Sequence, residues 1–187
     1  MGVEKRITAA WQGRISGCLL GKPVEGMSMR EGKDFMENYL KEVNSYPVRD
    51  YINYVENPHI RGVNIKCCKG RIDKAEQDDD ITYLVLALMM LERHGLDLST
   101  DDVARSWINL LPAGATFTAE REAYLRLLTH MDFSYQFGGE RKFDLDLIND
   151  NEFNDWIGAQ IRVDMYGWVL PGNPSLAADL ARRDAQL

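Results

Sequence analysis

The chain has 187 residues, 45% of them hydrophobic and 10% aromatic, which is enough to build a core and favours a single domain over residues 1–187. A net charge of -7 excludes a nucleic-acid surface, because phosphate binding draws its affinity from clustered Lys and Arg. No run of about 18 apolar residues is available to cross a membrane, and the opening MGVEKRITAAWQGR carries no apolar secretion segment, so a cytoplasmic protein is expected.

The first periodic segment runs from Glu4 to Leu20, with Ile7, Trp11, Ile15 and Leu19 on one stripe, and predicts a buried helix closed by Pro23. A second stripe carries Gly13, Gly17 and Gly21, and each glycine inside a helix costs about 1 kcal/mol relative to alanine. Close approach of another backbone or of a ligand would explain them. Cys18 stands alone and Cys67 and Cys68 are adjacent, which suits neither a disulfide framework nor paired zinc ligands, so they read as reduced thiols. Residues 33–44 are amphipathic through Phe35, Met36, Tyr39, Leu40 and Val43. From 45 to 76 no period is sustained, and a long irregular excursion is expected, with a short strand at Val63 to Cys67.

A strongly apolar helix then spans Asp79 to His94 and stops at Gly95. Ser99 or Thr100 caps a helix reaching Leu111, which Pro112 ends. Thr118 opens another, with Tyr124, Leu125, Leu128 and Met131 inward. Residues 132–151 read as loop, and Phe153 to Val169 as a helix loosened at Gly158 and Gly167, with Trp156, Tyr166 and Trp168 in the core. Asn173 and Pro174 start a last helix with no stop signal before Leu187.

The chemistry concentrates in QDDDITYLVLAL, where Asp78, Asp79 and Asp80 stand at the start of the most apolar helix. Adjacent carboxylates repel by roughly 3 kcal/mol per pair at ~5 Å and an effective dielectric of ~20. The positive end of the helix offsets part of that, about 0.3 to 1 kcal/mol per charge, and one capping aspartate with one in the first turn is ordinary structural usage. Three exceed what a cap needs, and a hard divalent cation is the second candidate for the missing positive charge. Other patterns are weaker. His59, His94 and His130 lack metal-ligand spacing; DLDLINDNEF is too short for a calcium loop; in GCLLGKPVEG, Lys22 is followed by proline and no strand precedes it, which excludes a phosphate loop.

Three segments together resemble one family, the ADP-ribosylglycohydrolases, which include the dinitrogenase reductase-activating glycohydrolases. GRISGCLLGKPVEG is similar to the opening pattern G-x-x-x-G-D-A-x-G-x-x-x-E, with Gly13, Gly17, Gly21 and Glu25 in place and Cys18 where aspartate is usual. QDDDITYLVLAL resembles the T-D-D-T metal motif, with Asp78 and Asp79 matching, Gln77 for the first threonine and Asp80 for the second. The segment from Asn154 to Leu187 is similar to G-x-x-M-R followed by a helix ending A-x-L-T-H, placing Gly158, Arg162, Ala185 and Leu187 on the pattern.

The resemblance implies an all-α orthogonal helical bundle and a Mg²⁺-dependent hydrolase of the N- or O-glycosidic bond of ADP-ribose, attached to protein or to small molecules. It implies two ions in the full-length protein, with Mn²⁺ as an alternative. Glu25, Asp78 and Asp79 take catalytic roles, with Glu25 as general acid/base or stabilising carboxylate. Gln77, Asp78, Asp79 and Asp80 take the metal, and Gly17, Gly21, Gly158 and Arg162 the substrate. The expected partner is ADP-ribose or an ADP-ribosylated substrate, with neither nucleic acid nor membrane. The family's terminal histidine and its D-x-D-T motif fall beyond Leu187, so this chain is expected to be an N-terminal portion that pairs with a C-terminal half. Leu176, Leu180 and Leu187 would then be left as an exposed apolar stripe. The alternatives are a non-catalytic helical binding or structural module, since the scaffold also resembles certain lens crystallins, or a hydrolase of another riboside.

Overall fold

The computed structural model describes residues 2–56, 62–130 and 143–187. Eight α-helices and no strand occur among them, so the fold class is all-α. The chain divides into two compact units, Met1–Asp78 and Asp79–Leu187.

The first unit is built on α1 (Val3–Glu31) and α2 (Lys33–Glu42), joined through Gly32, whose φ of 82° is the left-handed conformation that glycine adopts without steric cost. Contrary to the expectation from Pro23, α1 runs on for two further turns. An internal proline removes one helical hydrogen bond and crowds the preceding turn, at about 3 kcal/mol. The continuation is favoured because those turns bury Val24 and Met27 against Tyr39, Leu40, Val43 and Ile52, the core of this unit. The upstream stripe is less buried than its period suggests: only Leu19 is fully covered, while Ile7, Trp11 and Ile15 are half-buried.

The stretch after α2 is irregular in its described parts and is tied back by side chains. Asn53 donates from Nδ2 to the carbonyl of Val43 at 3.0 Å, and its backbone N–H donates to Ser45 Oγ at 2.9 Å. Where a short strand was expected, the chain forms a single 3-10 turn, Ile65–Cys67. A strand would send neighbouring side chains to opposite faces, whereas the turn buries both Cys67 and Cys68, each a free thiol.

The second unit begins with α3 (Asp79–His94), bounded as its sequence predicts, with Gly95 at φ 61° leading into a 3-10 turn. α4 (Thr100–Leu110) is opened by Ser99, whose hydroxyl accepts from the Asp102 N–H while the Asp102 carboxylate accepts from the Ser99 N–H, a reciprocal capping box. Next come α5 (Thr118–His130), the short α6 (Leu145–Asn149), a 3-10 segment (Ile157–Ile161), α7 (Asp164–Val169) and α8 (Pro174–Ala185). Asn173 caps α8, accepting from the Leu176 N–H.

Four sequence expectations are corrected here. α5 buries Glu120, Ala123, Tyr124 and Leu127, whereas Leu125 and Leu128 face outward; Met131 and His59 lie outside the described residues. The segment 153–169 is turn, 3-10 segment and one short helix rather than a continuous helix, and Trp156 is 53% exposed. α6 forms inside the stretch read as loop, capped by Asp144. Finally, Leu180 and Leu187 are buried and Leu176 half-buried, so the expected exposed stripe is covered by the chain itself. α8 docks on α4 partly through polar contacts: Thr100 Oγ1 donates to the Arg183 carbonyl at 2.9 Å, and Arg183 Nη1 donates to the Leu98 carbonyl at 3.0 Å.

Candidate active site

In the first unit the helix repeat of α1 places Cys18, Lys22 and Glu25 on one face, at i, i+4 and i+7. That face meets the end of the irregular stretch. The Lys22 ammonium donates to Asp78 Oδ2, and Asp78, with 8% of its side chain exposed, holds it as a close ion pair. The Cys18 sulfur lies within 4.8 Å of an Asp78 oxygen. Burial pulls the Lys22 ammonium toward neutrality, but the hydrogen bond and charge of Asp78, with smaller contributions from Cys18 and Glu25, outweigh it and raise the Lys22 pKa.

Two further groups belong to this neighbourhood. Burial raises the Cys67 thiol; Lys22 opposes that shift, and Glu76 and Asp78 add to it. Glu76 Oε1 is sealed from solvent with no hydrogen-bond partner among the described residues, while its other oxygen is 3.8 Å from Lys66. Buried acceptor oxygens without a donor are costly, so Glu76 Oε1 is an unsatisfied acceptor in this corner.

Asp78 and Glu25 share the Lys22 neighbourhood, with Glu25 exposed on α1 and Gln77 exposed just before Asp78. Asp79 and Asp80 stand in the first turn of α3, where the Asp79 carboxylate accepts from the Asp80 N–H at 3.1 Å, an anion at the positive helix end. No described atom lies within 4 Å of where a Cβ would stand at Gly13, Gly17 or Gly21, so backbone approach does not explain that stripe. Lys22 is the residue that sequence reasoning passed over. Its signal was its spacing, four residues after Cys18 and three before Glu25, which the phosphate-loop comparison obscured.

The second unit holds a buried polar network around Arg162, which is 4% exposed. Its Nε donates to Asp184 Oδ1 at 2.6 Å, Nη2 donates to the Asp184 carbonyl at 2.9 Å, and the guanidinium lies 5.0 Å from the Trp107 ring centroid. Tyr166 donates its hydroxyl to Asp184 Oδ2 at 2.6 Å, and burial followed by that carboxylate raises the phenol pKa strongly. Arg162 thus spends its Nε and Nη2 donors on α8. Gly158 is the position where a Cβ would collide with the Glu120 carboxylate, so its lack of a side chain makes room for Glu120.

The order of these features along the chain agrees with one profile: that of the family described as ADP-ribosylglycohydrolase matches residues 1–187. The chain belongs to the ADP-ribosylglycohydrolase family. Membership makes it an ADP-ribosylglycohydrolase-type glycosidic hydrolase with the all-α fold of that family. No curated protein and no solved structure was found to match it. No described helix is long and apolar enough to cross a membrane.

Proposed function

We propose that the protein hydrolyses the glycosidic bond at the distal ribose of ADP-ribose carried by a protein or a small molecule, in a Mg²⁺-dependent reaction centred on Asp78. The observation that carries this reading is the face of α1 on which Cys18, Lys22 and Glu25 gather beside the Asp78 carboxylate. The donor set fits a hard cation. Asp78 to Asp80 supply carboxylate oxygens, Gln77 an amide oxygen, and the sealed, unpartnered oxygen of Glu76 adds an acceptor. The thiol at Cys18 is softer and suits Mn²⁺ better than Mg²⁺. When bound, the ion supplies positive charge that orients the ribose diol and acidifies a water.

The chain's own groups do the rest. Cleavage builds oxocarbenium character at the anomeric carbon, so a carboxylate beside the ribose lowers the barrier. Glu25, exposed on α1, is the carboxylate free to take a water proton or to face that carbon. Lys22 pairs with Asp78 and fixes its orientation. Gly17 and Gly21 leave the neighbouring helix surface open for the ligand. Gly158 and Arg162 shape the second unit through Glu120 and Asp184.

Release of ADP-ribose from an ADP-ribosylated peptide, followed with and without Mg²⁺, tests the reading. Glu25→Gln is expected to lower kcat by about 10² to 10⁴. Mg²⁺ binding measured by calorimetry should vanish in the Asp78→Ala, Asp79→Ala double variant. Unchanged Mg²⁺ binding in that variant would defeat the assignment.

A further inference from the structure

The second unit contains an open cleft lined by Glu120, Arg162, Asn149, Asn154, Phe153 and Trp156 among others. Its charge is unusual. Glu120 is 7% exposed, yet no described residue gives its carboxylate a hydrogen bond or an ion pair. The buried acidic and basic side chains of this unit, among the described residues, are Glu120, Arg162 and Asp184, two carboxylates to one guanidinium. Arg162 directs Nε and Nη2 to Asp184, whose own oxygens are taken by Arg162 and Tyr166. That leaves Glu120 as the acid without a basic partner; the buried Tyr83 hydroxyl, whose pKa burial and then Glu120 raise, also lacks a partner among the described residues.

The rest of the lining narrows what would complete it. Asn149 and Asn154 turn their side-chain nitrogens to the carbonyls of Gln186 and Asn149, at 2.9 and 3.1 Å, so both amides already donate inside the protein. Trp156 is 53% exposed and meets Phe153 edge to face at 5.0 Å between centroids, giving the cleft a flat aromatic wall. A hard metal ion is disfavoured, because no group of three His, Cys, Asp or Glu ligands forms around Glu120 among the described residues. An acidic acceptor beside an indole suits a flat cation with N–H donors, through charge-assisted hydrogen bonds and cation–π contact.

We propose that this cleft is a binding site for a flat organic cation, an amidinium or guanidinium group, held by the Glu120 carboxylate and lined by Trp156. The site lies wholly within the second unit and stands independently of the hydrolytic reading centred on Asp78.

Benzamidine is the probe, with benzamide as its neutral counterpart and Mg²⁺ as the inorganic cation, each titrated into the full chain while Trp fluorescence and heat are followed. Benzamidine is expected to bind at least about 10-fold more tightly than benzamide, a gap typical of a charged hydrogen-bonded contact. Glu120→Gln should remove that preference, and Trp156→Ala, a change at the surface, should weaken benzamidine about three-fold. Should Glu120→Gln not fold, the benzamidine-to-benzamide ratio in the native chain and in Trp156→Ala still decides. Equal binding of the two probes, an unchanged Glu120→Gln variant, or displacement of benzamidine by Mg²⁺ in the Asp78→Ala, Asp79→Ala background would overturn the proposal.

Discussion

Among the described residues each unit has a largely buried cation–carboxylate pair, and the two differ in kind. Lys22 and Asp78 leave 17% and 8% of their side chains exposed, and the lysine is a point charge on a flexible stem. Arg162 and Asp184 leave 5% and 1%, and the planar guanidinium is bound at two atoms and stacked near Trp107. The first pair keeps more contact with solvent; the second is pinned from several sides.

That contrast can be broken most decisively at Arg162. Arg162→Ala strands Asp184 in the interior and should cost about 3–5 kcal/mol in denaturant unfolding; a loss under about 1 kcal/mol would mean that the pair is no more structural than Lys22–Asp78. Gly158→Ala forces the Glu120 carboxylate aside in a packed setting and should cost about 1–3 kcal/mol, with part of the loss recovered by adding Glu120→Ala. If Gly158→Ala melts like the native chain, Glu120 has more freedom than its burial implies.

Smaller effects sharpen the comparison. Ser99→Ala removes one half of the α4 capping box and should cost about 1 kcal/mol. Its pH dependence has a defined sign. Burial tends to raise the Asp102 carboxyl, but the Ser99 hydrogen bonds, aided by His94 and Arg105, hold it below its ordinary 3.8. That contribution is complete above the unfolded value and disappears as pH falls through the folded one, so native and Ser99→Ala melting temperatures should converge below about pH 3.8. Lys22→Met removes the cation beside Asp78, 8% exposed, and should cost about 1–3 kcal/mol, less than Arg162→Ala because this pair keeps more contact with solvent. Because Asp78 raises the Lys22 pKa, that difference is present below the usual 10.5 and vanishes as pH rises through the folded value. A Lys22→Met variant as unstable as Arg162→Ala would erase the distinction between the two pairs.

What could be read directly was whatever neighbouring residues settle among themselves. Ser99 with Asp102, Gly95, Asn173 with Pro174, and the apolar run of α3 each satisfy backbone groups or a helix face within a few residues. The aspartate run was equally visible, because like charges packed together demand an explanation wherever they fold. Lys22 reaches Asp78 across 56 positions, a separation no local pattern encodes. Glu120 is buried because α5 turns a face through residues 120, 123, 124 and 127 to the interior.

The amino-acid order by itself determined that the chain is helical, where most helices start and stop, and that residues 77–80 concentrate negative charge; these follow from hydrogen bonding and repulsion between near neighbours. Only the tertiary structure decided that α1 continues through Pro23, that 153–169 breaks into short pieces, that Trp156 faces outward, and that Arg162 belongs to Asp184. In each case a local preference worth at most a few kcal/mol was outweighed by burial or pairing between segments far apart in the chain.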